Sequence, residues 1–293
     1  MMRLTVAQVQ NHQKRLACRD QLLGLCTWFT TLGVIVLVGW IIGDILWHGL
    51  GQLSWTFLTA ASEDAGRAGG IGPILISTLL LLGICLSVSL PLGLGTAILL
   101  AEFTDPNHWF GRLIRRSLDM LAGVPSIVFG LFGNAFFAVL LGMGFSILSG
   151  GLTLACMVLP IIIRSVEEGL SAVPRDYRLG AASLGLSRTS TLMQLLLPAA
   201  MPSLVTGVIL GIGRAIAETA ALIYTSGYVD RVPTSLLDSG RALSLHIFDL
   251  SMNVPGGDHN AYAAATVLMI LILLINGTAT WIGNQWLQHS IHL

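Results

Sequence analysis

From Pro73 to Ala101 the chain contains no Asp, Glu, Lys or Arg, and that uncharged run limits the possible folds more than any other feature. A helix needs about 20 apolar residues to cross a hydrocarbon layer roughly 30 Å thick. Only structures that satisfy every backbone N–H and C=O internally are stable there. Similar stretches recur, giving six expected spans at about 25–47, 73–101, 117–141, 146–168, 199–225 and 261–286. With 54% apolar and 10% charged residues, the composition suits lipid better than water, which argues against a soluble globule and for an all-α membrane protein.

Basic residues in short loops stay on the cytoplasmic side. With the N-terminus inside, Arg3, Lys14, Arg15, Arg19, Arg112, Arg115, Arg116, Arg175, Arg178 and Arg188 are cytoplasmic, and only Arg67, Arg231 and Arg241 lie outside. Arg164 and Arg214 fall in or at the edge of spans. The first span is too long for a removable signal and lacks an A-x-A site, so it is expected to remain as an anchor. Leu25 before Cys26 argues against lipoprotein processing.

Cys18, Cys26, Cys85 and Cys156 form no C-x-x-C pair, and the seven histidines are dispersed, so neither disulfides nor a metal site is expected. The histidines read as interfacial or loop residues, and Asp249 and Asp258 as solvated loop charges. Asn276-Gly277-Thr278 matches a glycosylation sequon, but inside the last span. Gly211-x-Gly213 follows no strand, and no Gly-Lys-Ser/Thr occurs, so the chain is not expected to bind ATP, to need a cofactor or to be an enzyme. Nothing indicates nucleic-acid binding.

Several small-residue and proline positions have a packing meaning. Gly207-x-x-x-Gly211 and Gly39-x-x-x-Gly43 predict close helix contacts. Pro91 and Pro125 predict interruptions or kinks.

Arg214 and Glu218 stand four residues apart in the fifth span, a spacing that predicts one helix face. A charge at mid-bilayer costs about 3 kcal/mol on insertion scales, so such groups face protein or water and find partners. Two readings stand: a structural ion pair, or an arginine lent to an oxyanion, whose geometry its planar fork matches. Arg164 is a second candidate for the path, with snorkelling to headgroups as the alternative.

Between the fourth and fifth spans, Ser171 to Pro198 is more polar than its flanks, and Pro174 is placed to open a helix. Leu179, Leu184, Leu186 and the run Leu195 to Leu197 offer apolar contacts. Gly180, Ala181, Ala182 and Gly185 let another backbone approach, with Gly185 permitting a reversal. Leu179-Gly180-Ala181-Ala182-Ser183-Leu184-Gly185, nine residues and Leu195-Leu196-Leu197-Pro198 resemble the coupling motif of ABC-transporter permeases: Glu-Ala-Ala, three residues and Gly, then Ile-x-Leu-Pro. The motif's Glu is Leu179 here and its first Ala is Gly180, leaving Arg175 or Arg178 for a polar contact.

Gly69-Gly70-Ile71-Gly72-Pro73, Leu90-Pro91-Leu92-Gly93, Ala101-Glu102-Phe103, Gly123-Val124-Pro125-Ser126-Ile127-Val128-Phe129-Gly130, Leu159-Pro160-Ile161-Ile162-Ile163-Arg164 and Gly213-Arg214-Ala215-Ile216-Ala217-Glu218-Thr219-Ala220 resemble the phosphate-specific, PstA-type branch of that family. The likeness covers about residues 70–225.

The resemblance implies six transmembrane helices of the ABC importer permease type with a cytoplasmic coupling helix in a bacterial inner membrane, both termini cytoplasmic. It divides the chain into a tail (1–24), an anchor helix (25–47), a permease domain (70–286) with a coupling segment near 171–198, and a second tail (287–293). Leu179, Gly180, Ala181, Gly185, Leu195, Leu197 and Pro198 would dock an ATPase, while Arg214, Glu218 and Arg164 would line the path for inorganic phosphate. The implied partners are a PstC-like permease, two PstB-like ATPase subunits and an external phosphate-binding protein, all within membrane lipid. A PstC-like or other oxyanion permease, an ion-gradient-driven carrier or channel, and a non-transporting membrane subunit remain alternatives.

Overall fold

A computed structural model describes residues 6–105 and 108–291. Arg3 and the outermost parts of both expected tails, 1–5 and 292–293, lie outside the described residues. The chain forms two compact units, Met1–His48 and Gly49–Leu293. The first consists of helix α1, Val6–Gly49, up to His48. It runs unbroken through the expected tail boundary at residue 24: Gly24 stands there, but a single glycine is tolerated inside a helix and no proline interrupts Val6–Gly49.

The second unit begins with a short helix α2, Trp55–Thr59, capped by the Ser54 hydroxyl, which accepts the Phe57 N–H at 3.1 Å. A two-residue hairpin follows, β1 (Ser62–Glu63) antiparallel to β2 (Ala68–Gly69), a small departure from the expected all-α architecture. Then come α3 (Gly72–Ile98), α4 (Trp109–Ala122), α5 (Ser126–Gly133), α6 (Ile147–Ala172), α7 (Arg175–Ser183), α8 (Arg188–Thr191), α9 (Leu197–Ile216), α10 (Ala220–Ile223), α11 (Leu243–Met252) and α12 (Asp258–Ile291). The second expected tail, from 287, is thus largely the end of α12. Three stretches are π-wound: Leu99–Phe103 after α3, Asn134–Leu140 after α5, and Leu192–Leu196 between α8 and α9.

Helix α6 lies at the centre, packed against α3 and α9, with Leu154, Val158, Ile162, Val166 and Leu170 buried. The contacts are as close as small residues allow: a β-carbon on Gly207 would meet Ser165 Cβ at 2.7 Å, and one on Gly211 would meet Val158 Cγ1 at 2.6 Å. The first glycine pair therefore does what its spacing predicts. Gly39 and Gly43 lie on α1, a body described by itself.

The described residues hold five helices long and apolar enough to cross a membrane, and a sixth crossing if α4 and the α5 segment count as one. These two meet at 104°, so the expected single span 117–141 is corrected to two elements. Gly123-Val124-Pro125 is the break, since Pro125 has no N–H to continue the ladder. Pro91, Pro160 and Pro202, in contrast, stand inside α3, α6 and α9 without ending them.

The fifth span is also corrected. Its helix stops at Ile216 instead of continuing to 225, and α10 resumes after Ala217, Glu218 and Thr219. Beyond it, the Leu243 N–H donates to Thr78 Oγ1 at the start of α3 (2.9 Å), and His246 is buried beside Arg241. Asp249 pairs with Arg241 at 3.2 Å. Neither His246 nor Asp249 is the solvated group its sequence position suggests, because α11 folds down onto α3 and α12.

Candidate functional site

Helix α6 ends at Ala172, and Pro174 turns the chain into α7. At the far end of α7, the Leu186 N–H donates to Ala181 O and the Gly185 N–H to Ala182 O, both at 3.0 Å. Gly185 has φ +74°, the left-handed conformation that closes a helix in this pattern. The Ser187 hydroxyl then accepts the Ser190 N–H at 3.1 Å and opens α8. The result is a compact protrusion that presents Leu179 at 65% exposure and Leu184 at 80%.

The other residues expected to dock a partner divide. Gly180 faces open space. Ala181 is buried, and Leu195, Leu197 and Pro198 are half-buried around the fully buried Leu196. These four residues hold the protrusion to its own bundle, which corrects the expectation that Ala181 is itself a contact residue. Arg178 also turns inward: its Nη2 donates to Glu102 Oε1 at 2.5 Å and its Nη1 to Val173 O at 2.9 Å.

Arg164 lies in a second charged cluster. It pairs with Asp119 of α4, and its Nη1 lies 3.9 Å from Glu167 Oε2. Arg115 donates to Glu167 Oε1 at 2.5 Å and to Leu100 O at 2.9 Å. With its side chain only 8% exposed, Glu167 is held between two guanidinium groups, as a buried carboxylate requires. Arg164 is thus half-buried and paired. Glu102, Arg115, Asp119 and Glu167 were not among the expected site residues; charges beside apolar runs were the only local signal.

Arg214 and Glu218 do not share a helix face, because α9 ends between them. Glu218 is buried, and its Oε1 accepts the Ala221 N–H at 3.1 Å, capping α10. Its backbone carbonyl accepts the Ser244 hydroxyl at 2.6 Å. Arg214 is exposed on the last turn of α9, where a cation suits the helix dipole. Among the described residues its guanidinium makes no hydrogen bond or ion pair. The expected ion pair is therefore absent.

A family model described as "Binding-protein-dependent transport system inner membrane component" matches residues 89–287. The chain belongs to this family of transport permeases. The permease is 32% identical over 279 residues to the probable ABC transporter permease protein YqgI of Bacillus subtilis, covering 90% of this chain and 93% of that protein. It is 31% identical over 264 residues to the phosphate transport system permease protein PstA 1 of Mycobacterium tuberculosis, covering 87% and 86%. A probable phosphate transport system permease protein PstA of Methanocaldococcus jannaschii is 32% identical over 222 residues, covering 75% and 76%.

The permease also shares its fold with a chain of a bacterial ABC transporter involved in the import of alginate, at a TM-score of 0.58 and 14% identity, covering 94% of this chain and 98% of that one. For the methionine transporter MetNI the values are 0.53 and 16%, covering 74% and 96%. The permease is thus a multi-pass membrane protein with the ABC importer fold, in a family of transporter subunits.

Proposed function

We propose that this permease is the PstA-type half of an ATP-driven importer of inorganic phosphate. In this reading it sits in a bacterial inner membrane with both termini and α7 in the cytoplasm. A PstC-like permease completes the path, two PstB-like subunits hydrolyse ATP, and a phosphate-binding protein delivers the anion from outside. Leu179 and Leu184 enter an ATPase groove, and Arg214, with Glu218 nearby, meets phosphate. Arg164 acts through its charged cluster beside the path.

The observation that carries the phosphate assignment is the exposed guanidinium of Arg214, without a hydrogen bond or ion pair among the described residues, on the last turn of an apolar helix in a chain whose relatives include phosphate permeases. A guanidinium offers an oxyanion several N–H donors in one plane. ATP is needed because an anion of one or two charges entering against roughly 100 mV costs about 2.3 to 4.6 kcal/mol before any concentration gradient. Alternating access would follow when ATP-driven closure of the ATPase pair moves the α7 protrusion.

The test is uptake of labelled phosphate, against labelled sulfate, by the complete complex in liposomes with ATP inside. Phosphate uptake that stops when the ATPase is inactivated is expected. Preference for sulfate would reassign the substrate, and uptake that persists without hydrolysis would make the chain a gradient-driven carrier.

A further inference from the structure

Helix α7 is poorly anchored by apolar packing. It has nine residues between two sharp turns, and Ala181 alone among them is buried. A cavity of about 330 Å³ opens beside it, lined by Glu102 and Phe103 after α3, by Arg178 and Ala182 of α7 and by Thr191 and Leu192 at the end of α8. From α7, Arg178 reaches the α3 side of this cavity through Glu102 and also bonds the end of α6. Arg178 donates through Nη2 to Glu102 Oε1 (2.5 Å) and Leu170 O (2.9 Å), through Nε to Glu102 Oε2 (3.3 Å), and through Nη1 to Val173 O (2.9 Å).

Each bond has a distinct mechanical meaning. Leu170 and Val173 lie at the end of α6, where helical carbonyls lack intrahelical partners and a cation is favoured. Glu102 belongs to the π-wound end of α3, a winding often found at functional positions. From the other side, Arg115 of α4 donates to Leu100 O in that same stretch. The end of α3 is therefore held on one side by α4 and on the other by α7, and its link to α7 is the fork of Arg178 on the Glu102 carboxylate.

We infer that Glu102 and Arg178 are positioning residues for transport: their ion pair passes displacement of the α7 protrusion to α3. This rests on the docking role proposed for α7. Neither residue need touch phosphate or ATP. Without the pair, an ATPase still seats on the exposed leucines, but α7 shifts in the open space beside it while α3 lags.

The experiment uses the complete complex in liposomes, with inorganic phosphate as the transported probe, and compares Glu102→Gln, Arg178→Gln, the double variant and Glu102→Asp. Two quantities are read: ATPase subunit retained per permease, and phosphate taken up per ATP hydrolysed. In Glu102→Gln retention is expected to match the parent, while uptake per ATP falls about tenfold, the scale set by losing a hydrogen-bonded charged pair. The double variant should fall no further than the worse single variant, because both lose one interaction. Glu102→Asp, which keeps the charge but shortens its reach, should recover part of the coupling even if Arg178→Gln does not assemble.

Unchanged uptake per ATP in Glu102→Gln, with the ATPase retained, would overturn the inference and leave the docking role intact. Uptake and hydrolysis falling together, in proportion to lost complex, would make the pair merely structural. A parent complex that retains no ATPase would remove the docking role itself.

Discussion

The carboxylate of Glu218 accepts the backbone N–H of Ala221 at 3.1 Å, so the acid four residues after Arg214 closes the start of a helix instead of a salt bridge. The separation has a consequence for each residue. Gln at 218 keeps an oxygen acceptor, whereas Ala removes it, and loss of a helix cap costs about 1 kcal/mol. Thermal unfolding in detergent should place Glu218→Gln near the parent and Glu218→Ala below it. Equal destabilisation of both would mean that the charge, not the cap, is what the fold uses.

Arg214 gives the opposite pattern. Its guanidinium is exposed and makes no protein hydrogen bond among the described residues, so Arg214→Ala should leave the unfolding midpoint unchanged. Losing hydrogen bonds to a charged ligand costs about 2 kcal/mol, roughly thirtyfold in apparent affinity. Concentration dependence of phosphate uptake should show that loss for Ala and a smaller one for Lys, which keeps the charge without the fork. An unchanged affinity in Arg214→Ala would take Arg214 out of the path.

Glu167 should matter most for stability. Removing it leaves Arg115 with the Leu100 carbonyl and Arg164 with Asp119, both in a partly buried setting. Breaking such a buried pair costs about 3 kcal/mol, so Glu167→Ala should lower the unfolding midpoint clearly. Asp119, with its side chain 60% exposed, belongs to the class of surface pairs worth under about 1 kcal/mol. Asp119→Asn is expected to unfold close to the parent; a larger loss there than at Glu167 would reverse this ranking.

The sequence makes the long apolar helices legible because length and absence of charge are local properties. It also makes the Gly207–Gly211 contact and the left-handed Gly185 legible, each from a spacing or a residue type. The sharp turn at Gly123-Val124-Pro125 is visible only as a kink, since the angle depends on α4 being held to α6 through Arg115, Asp119, Arg164 and Glu167. The end of α9 has no local signal, as Arg214 to Ala220 contains no helix breaker. The freed carbonyl of Glu218 is taken by Ser244 of α11, a partner that appears only once the chain has folded back. Arg178 and Glu102 are likewise brought together by tertiary packing.

His246 makes stability depend on pH outside the spans. Burial pushes its imidazole down to about 4, helped by the Arg241 guanidinium and opposed by the carboxylates of Asp230 and Asp249. In the unfolded chain it titrates near the ordinary value of about 6.5, so the unfolded state binds more protons between these values. Stability from this group is full above about pH 6.5 and is lost as pH falls toward 4, by about 3 kcal/mol at most. Unfolding midpoints across that window should fall in the parent and flatten in His246→Gln; parallel curves would place the pH dependence elsewhere.

Leu184 separates docking from folding. It is 80% exposed at the reversal that Gly185 permits, and it covers no core, so Leu184→Asp should unfold like the parent. In an ATPase groove the same change would put a carboxylate against apolar surface, and anchoring residues of this kind contribute about 2 kcal/mol or more to an interface. Co-purification of the ATPase with the permease should therefore fall by more than about tenfold in Leu184→Asp and less in Leu184→Ala. Gly185→Ala tests the same surface through the backbone, because a side chain at φ +74° strains the reversal by about 1 kcal/mol. Full ATPase retention in Leu184→Asp would mean that the partner grips the permease somewhere other than the exposed tip of α7.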